Sequence, residues 1–170
     1  MSDLLERRAQ AALGPGKYVA LVNGSEVYLL REAYDRLARL PAAMDAVVKA
    51  AADHPGIARV FRREELQSAE SVDPLLRAAA LSYVPRRGGD LILVAKPGWI
   101  FNSTGIGTTH GTGSPEDQRV PLLFLGAGIK PGVYPAPVTP ADIAPTLAAL
   151  CRVDLPRAEG HALRIALTTR

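Results

Sequence analysis

The sequence has a single cysteine, Cys151, so no disulfide can form within the chain and the fold must rest on packing. Cys151 lies in the apolar run LAALCRV, where a small thiol is expected to be buried as a hydrophobe. Aromatic residues make up 5% of the chain, which argues against a base-stacking platform. The formal charge of +3 comes from scattered residues and short doublets such as Arg7-Arg8 and Arg86-Arg87, not from a stripe. Nucleic-acid binding is therefore not expected, despite a pI of 9.2. No apolar run approaches the roughly 18–20 residues of a membrane span. The start, MSDLLERRAQAALGPG, lacks the basic head, apolar stretch and cleavage site of a secretory signal. A soluble chain without an export signal of its own is the expectation.

Several catalytic signatures are also missing. There is no HExxH or CxxC pair, no GxSxG elbow, no P-loop and no dinucleotide-type glycine fingerprint. The chain has 170 residues, 48% of them hydrophobic and 22% charged, which suits one ordinary domain or a domain with a lobe.

The pattern along the chain predicts a mixed α/β (α+β) architecture. Residues 3–13 read as a helix stopped by Gly14-Pro15-Gly16, and 17–22 and 26–30 as a hairpin about Asn23-Gly24. Helical periodicity over 32–53 contains Pro41, which predicts a kink or two helices. Strands are predicted at 56–61 and 90–95, and a helix from Asp73-Pro74 to Ser82 with Asp73 as N-cap. Glycine and proline become dense after Lys96. One strand-like run, VPLLFLG (120–126), precedes a final helix opened by Thr139, Pro140 and Asp142. The expected division is a regular ββαβαβ lobe over 1–95 and a loop-rich segment over 96–170, where sites tend to sit.

Three histidines carry the available imidazole chemistry. His54, before Pro55-Gly56, is placed to cap carbonyls at a helix end, and His161 reads as surface. His110 differs, because it stands in GTTHGTGSPED (107–117) among glycines that let a backbone approach a ligand closely. Imidazole is a common zinc ligand, and Thr108, Thr109, Ser114 and Asp117 could orient it by hydrogen bonds. A glycine-rich turn with a water-facing histidine is the alternative that local chemistry leaves open.

The run GTTHGTGSPEDQRVPLLFLGAGIKPG, followed by VTPADIAPTLAALCRVDLPRAEGHAL, resembles the C-terminal end of the alkaline phosphatase superfamily. It is nearest to the type I phosphodiesterase/nucleotide pyrophosphatase group and its phosphate-irrepressible alkaline phosphatases. Earlier stretches, Gly14 to Val19, Glu26 to Leu29, Pro55 to Leu66 and Gly89 to Trp99, are similar to that group as well.

The resemblance implies a partial alkaline-phosphatase-like domain from an enzyme that hydrolyses phosphate mono- or diesters at two zinc ions. It implies His110 as one zinc ligand, with Thr109, Gly111 and Asp117 as supporting loop residues. It maps neither the nucleophile nor the other ligands onto this chain, so no catalytic residue is expected here and zinc should bind weakly or not at all. The implied parent enzyme is periplasmic or secreted, and its partner is a phosphate-ester substrate. Departures from the group's pattern are Gly113 to Glu116, where an aromatic is usual, and Cys151-Arg152 in place of Leu-Gly. The rival reading is a non-catalytic module that self-associates or binds a partner through exposed sheet edges.

Overall fold

The computed structural model describes every residue except 69, 103, 104, 106, 109, 169 and 170. The chain divides into two compact units, Met1–Arg119 and Val120–Arg170. That division falls later than the change of composition near residue 96.

The first unit is built on a four-stranded antiparallel sheet. Its strands are β1 (Val19–Asn23), β2 (Glu26–Leu29), β3 (Ile57–Arg62) and β4 (Leu91–Ala95), in the order β1-β2-β4-β3. The predicted hairpin forms, with Val19 opposite Leu29 and Asn23 opposite Glu26, so the turn residues are Gly24-Ser25, one position later than the expected Asn23-Gly24. Gly24 turns it at φ 56°, a conformation that costs glycine least. Helix α1 covers Ser2–Leu13. The long helical pattern resolves into α2 (Arg31–Ala38) and α3 (Pro41–Ala52), with Pro41 at the first position of α3, where its missing N–H costs nothing.

Successive side chains of β4 point to opposite faces. Leu91 and Leu93 join Leu5, Leu37, Met44 and Val47 in the main core beneath α1, α2 and α3. Ile92 and Val94 face the other way, toward Phe61, Leu66 and helix α4 (Pro74–Ser82). A register shift between Ile57 and Arg59 reverses the alternation along β3. Ile57 and Val60 thereby face the main core while Phe61 faces α4. Asp73 caps α4 as expected, its Oδ1 accepting from the Leu75 N–H at 3.0 Å and the Leu76 N–H at 3.3 Å. One further short helix, α5 (Pro115–Gln118), lies at the end of the unit.

Two buttresses were not legible in the sequence. The Glu6 carboxylate on α1 accepts the N–H groups of Tyr18 and Val19, fastening the helix to the start of β1. Arg63 lies 3.5 Å from the centroid of the Tyr34 ring and donates to Asp90, whose other oxygen accepts the Leu29 N–H. Burial, reinforced by the hydrogen bond to Glu64, raises the Tyr34 phenol well above its ordinary range.

The second unit is held by backbone ties. Residues 120–126, expected as a core strand, form no hydrogen-bonded strand, and Leu123 and Leu125 are exposed. Helix α6 (Ile143–Cys151) follows a 3₁₀ turn, Pro140–Asp142. The Asp142 side chain accepts from the Thr139 N–H at 2.8 Å, which is the expected carboxylate half of the cap. Its other oxygen accepts the His161 N–H at 2.7 Å, drawing in the tail. Buried Thr146 continues this tie: its Oγ1 donates to the Asp142 carbonyl and accepts the Leu163 N–H at 2.9 Å. An antiparallel bridge between Ile129 and Leu167 closes the unit. Cys151 is exposed, contrary to expectation. It is the last residue of α6, where the chain leaves through Arg152 at φ 55° and no described layer covers that end.

Two substitutions test this packing. Phe61→Ala should cost about 3–5 kcal/mol by creating a cavity, read from urea unfolding. A Cβ at Gly160 would stand 2.2 Å from the Ala141 carbonyl oxygen. Gly160→Ala should therefore cost about 1–3 kcal/mol, or detach the tail, and raise amide exchange at His161 and Leu163.

Candidate functional site

The loop carrying His110 is shaped by its glycines and fastened from its C-terminal side. Gly105, Gly107 and Gly111 have φ of 71°, 94° and 96°, so the backbone turns where a side chain would be strained. Ser114-Pro115-Glu116-Asp117 then starts α5, a helix not expected from the pattern of the chain. Its signal was present as a serine N-cap, proline at the first position and acids in the first turn. Ser114 Oγ accepts from the Asp117 N–H, and Thr112 Oγ1 and Ser114 Oγ lie within hydrogen-bonding distance at 3.1 Å.

Asp117 is the fastener. One carboxylate oxygen accepts the Thr112 N–H at 2.6 Å, returning the chain onto α5 just after Gly111. Hydrogen bonds from the Thr112 hydroxyl and N–H hold the carboxyl below its ordinary range, helped by nearby His110 and the Gly111 N–H. Asp117 thus ties the backbone just after Gly111 to α5, two residues from the exposed His110. Gly111 sits in the loop as expected, and Thr109 lies outside the described residues. On the sheet side, Gly111, Thr112 and Gly113 wall a cavity of about 340 Å³ with Leu75, Tyr83 and Ile92. The placement of His110 beside Asp117 could have been anticipated only from knowing that α5 exists.

The other histidines are engaged elsewhere. His54 Nδ1 accepts the Gly56 N–H at 3.3 Å, so it caps a turn donor and not the expected carbonyls. The neighbouring Asp53 carboxylate pairs with Lys49 at 2.7 Å. This Asp-His dipeptide is therefore spent on the end of α3. At His161 it is the backbone N–H that works, and the side chain is exposed as expected.

A zinc ion needs three or four protein donors, or three and a water. Among the described residues, no three of His, Cys, Asp and Glu come together as a metal-binding group. His110 offers one donor, while the Asp117 carboxylate is committed to its loop. The described residues of this chain do not by themselves fit a zinc centre.

No protein-family model matches the chain. Alkaline phosphatase PafA of Elizabethkingia meningoseptica is 27% identical over 92% of the chain and 29% of its own length. Alkaline phosphatase PhoK of a Sphingomonas species is 32% identical over 88% of the chain and 28% of its own length. A Myroides odoratus protein named a calcium-transporting ATPase is 34% identical over 65% of the chain and 20% of its own length. The crystal structure of wild-type PafA superposes with a TM-score of 0.82 at 25% identity, covering 99% of this chain and 33% of that one. By sequence and by fold, the chain is homologous to part of the alkaline phosphatases and fits the alkaline phosphatase superfamily while spanning about 30% of their length.

Proposed function

We propose that this chain is part of a zinc-dependent phosphate-ester hydrolase, in which it supplies one wall of the active site and a single zinc ligand, His110. The observation that carries this reading is the exposed imidazole on a glycine-shaped loop braced by Asp117, in a chain whose homologues are alkaline phosphatases. When bound, zinc would polarise the phosphoryl oxygen and favour the attacking group. This chain's own contribution is positional: Asp117 fixes Thr112 and Gly111, and that backbone sets where the imidazole is presented. The nucleophile and remaining ligands belong, in this reading, to segments outside residues 1–170. Preference between mono- and diesters would be set there too.

With aryl phosphate mono- or diesters and excess Zn²⁺, the isolated chain is expected to give no turnover above buffer. Turnover that His110→Ala abolishes would overturn the division of the site between this chain and other segments. In a chimera where the chain replaces the matched part of the Elizabethkingia phosphatase, phosphatase activity is expected. There, His110→Ala should lower zinc affinity and kcat/KM by about a hundredfold or more, and Asp117→Asn by about 10–100-fold.

Asp117 also gives a signature in the isolated chain. Because its folded pKa is depressed, the clamp is fully present above the ordinary value near 3.9 and is lost as pH falls through the lower folded value. Protection of the Thr112 amide should therefore persist from neutral pH to below the ordinary carboxylate value and disappear only as pH falls further, through the depressed folded value. Asp117→Asn should raise Thr112 exchange about tenfold at neutral pH. Unchanged exchange would show that the carboxylate is not what holds the loop.

A further inference from the structure

Residues 120–125, Val-Pro-Leu-Leu-Phe-Leu, have the composition of a core strand and the environment of a surface. No backbone hydrogen bond joins them to another described residue. Leu123 and Leu125 are 86% and 103% exposed, while Leu122 and Phe124 between and beside them are half-buried. Apolar residues at consecutive positions mark a strand covered on both faces, because successive side chains point in opposite directions. Val133 and Ile165 add exposed apolar surface in the same unit, whose buried residues, among those described, are only Asp142, Thr146 and Ala166.

We infer that residues 120–125 are an interior β-strand of a larger sheet, whose neighbouring strands come from the part of an alkaline phosphatase fold outside this chain. The need for an occupant follows from composition and burial; its identity rests on the phosphatase reading. A second copy of the chain fits less well. Pairing two such segments gives a two-stranded ribbon that satisfies one edge and leaves both apolar faces wet. The matched PafA structure has the required material, since this chain accounts for 33% of it. Pro121 is the second residue of the segment, and with pairing that begins there its missing donor falls at the start of the ladder, where it is tolerated.

Hydrogen-exchange mass spectrometry on the isolated chain and on the chimera described above tests the pairing. In the isolated chain the amides of 122–125 should exchange within seconds at low and high concentration. In the chimera they should slow by about a hundredfold or more. Leu125→Asp should leave the melting temperature of the isolated chain within about 2 °C of the parent and unfold or destabilise the chimera. Protection in an isolated monomer, showing that the chain covers the segment itself, would overturn the inference. So would concentration-dependent protection with dimers in sedimentation, or free exchange in a folded chimera. Should the chimera not fold, a larger fall in melting temperature for Leu125→Asp in the isolated chain is enough to reject it. Protected amides in a folded chimera that hydrolyses no p-nitrophenyl phosphate would refute the phosphatase reading and leave the strand assignment standing.

Discussion

Strand β4 imposes the constraint from which the first unit follows. Asp90 to Ala95 reads DLILVA, apolar at every position after the first, so it can be stable only with a layer on each face. One layer is the set of helices α1 to α3, and the other is α4 with Leu66 and Phe61. Its neighbours β2 and β3 satisfy its two edges. Asp90, at the head of the strand, then ties Arg63 and the Leu29 N–H to the same point. A polar residue at the end of a buried strand thus organises the elements on either side of it.

The candidate site hangs from this frame by a short lever. Thr112 and Gly113 lie beside Leu75 on α4 and Ile92 on β4, so the sheet fixes one side of the loop. The single turn of α5 fixes the other, through Asp117. Between these supports the glycines let the backbone bend without strain, and His110 is carried on the bend. Loops that bear function on rigid scaffolds are commonly held at both ends in this way.

Regular elements were legible because their signals are local. Pro41 announced the break between α2 and α3, Asp73-Pro74 the start of α4, and Asn23-Gly24 the hairpin. His110 was singled out by its glycines, and the ordered motifs around it supplied the family. What escaped was tertiary. Nothing in the spacing of Glu6, Arg63 or Asp142 says that each will accept or donate across a gap in sequence. The exposed Cys151 and unpaired 120–126 show the converse limit. Hydrophobic pattern tells which residues seek cover, and the cover itself depends on what else is present.

The tail after Leu155 looks, in sequence, like an expendable terminus rich in small and polar residues. The hydrogen bonds give it a different standing. The backbone N–H groups of His161 and Leu163 are the partners of the Asp142 carboxylate and the buried Thr146 hydroxyl. Leu167 and Ala166 reach back to Ile129 and Lys130. Trimming the chain at Gly160, by design or by an exopeptidase, would remove more than an appendage. It would strip two polar groups at the start of α6 of their donors and unzip the 128–130 segment. An affinity tag is therefore better tethered beyond residue 168 by a flexible spacer than substituted for the residues after Gly160.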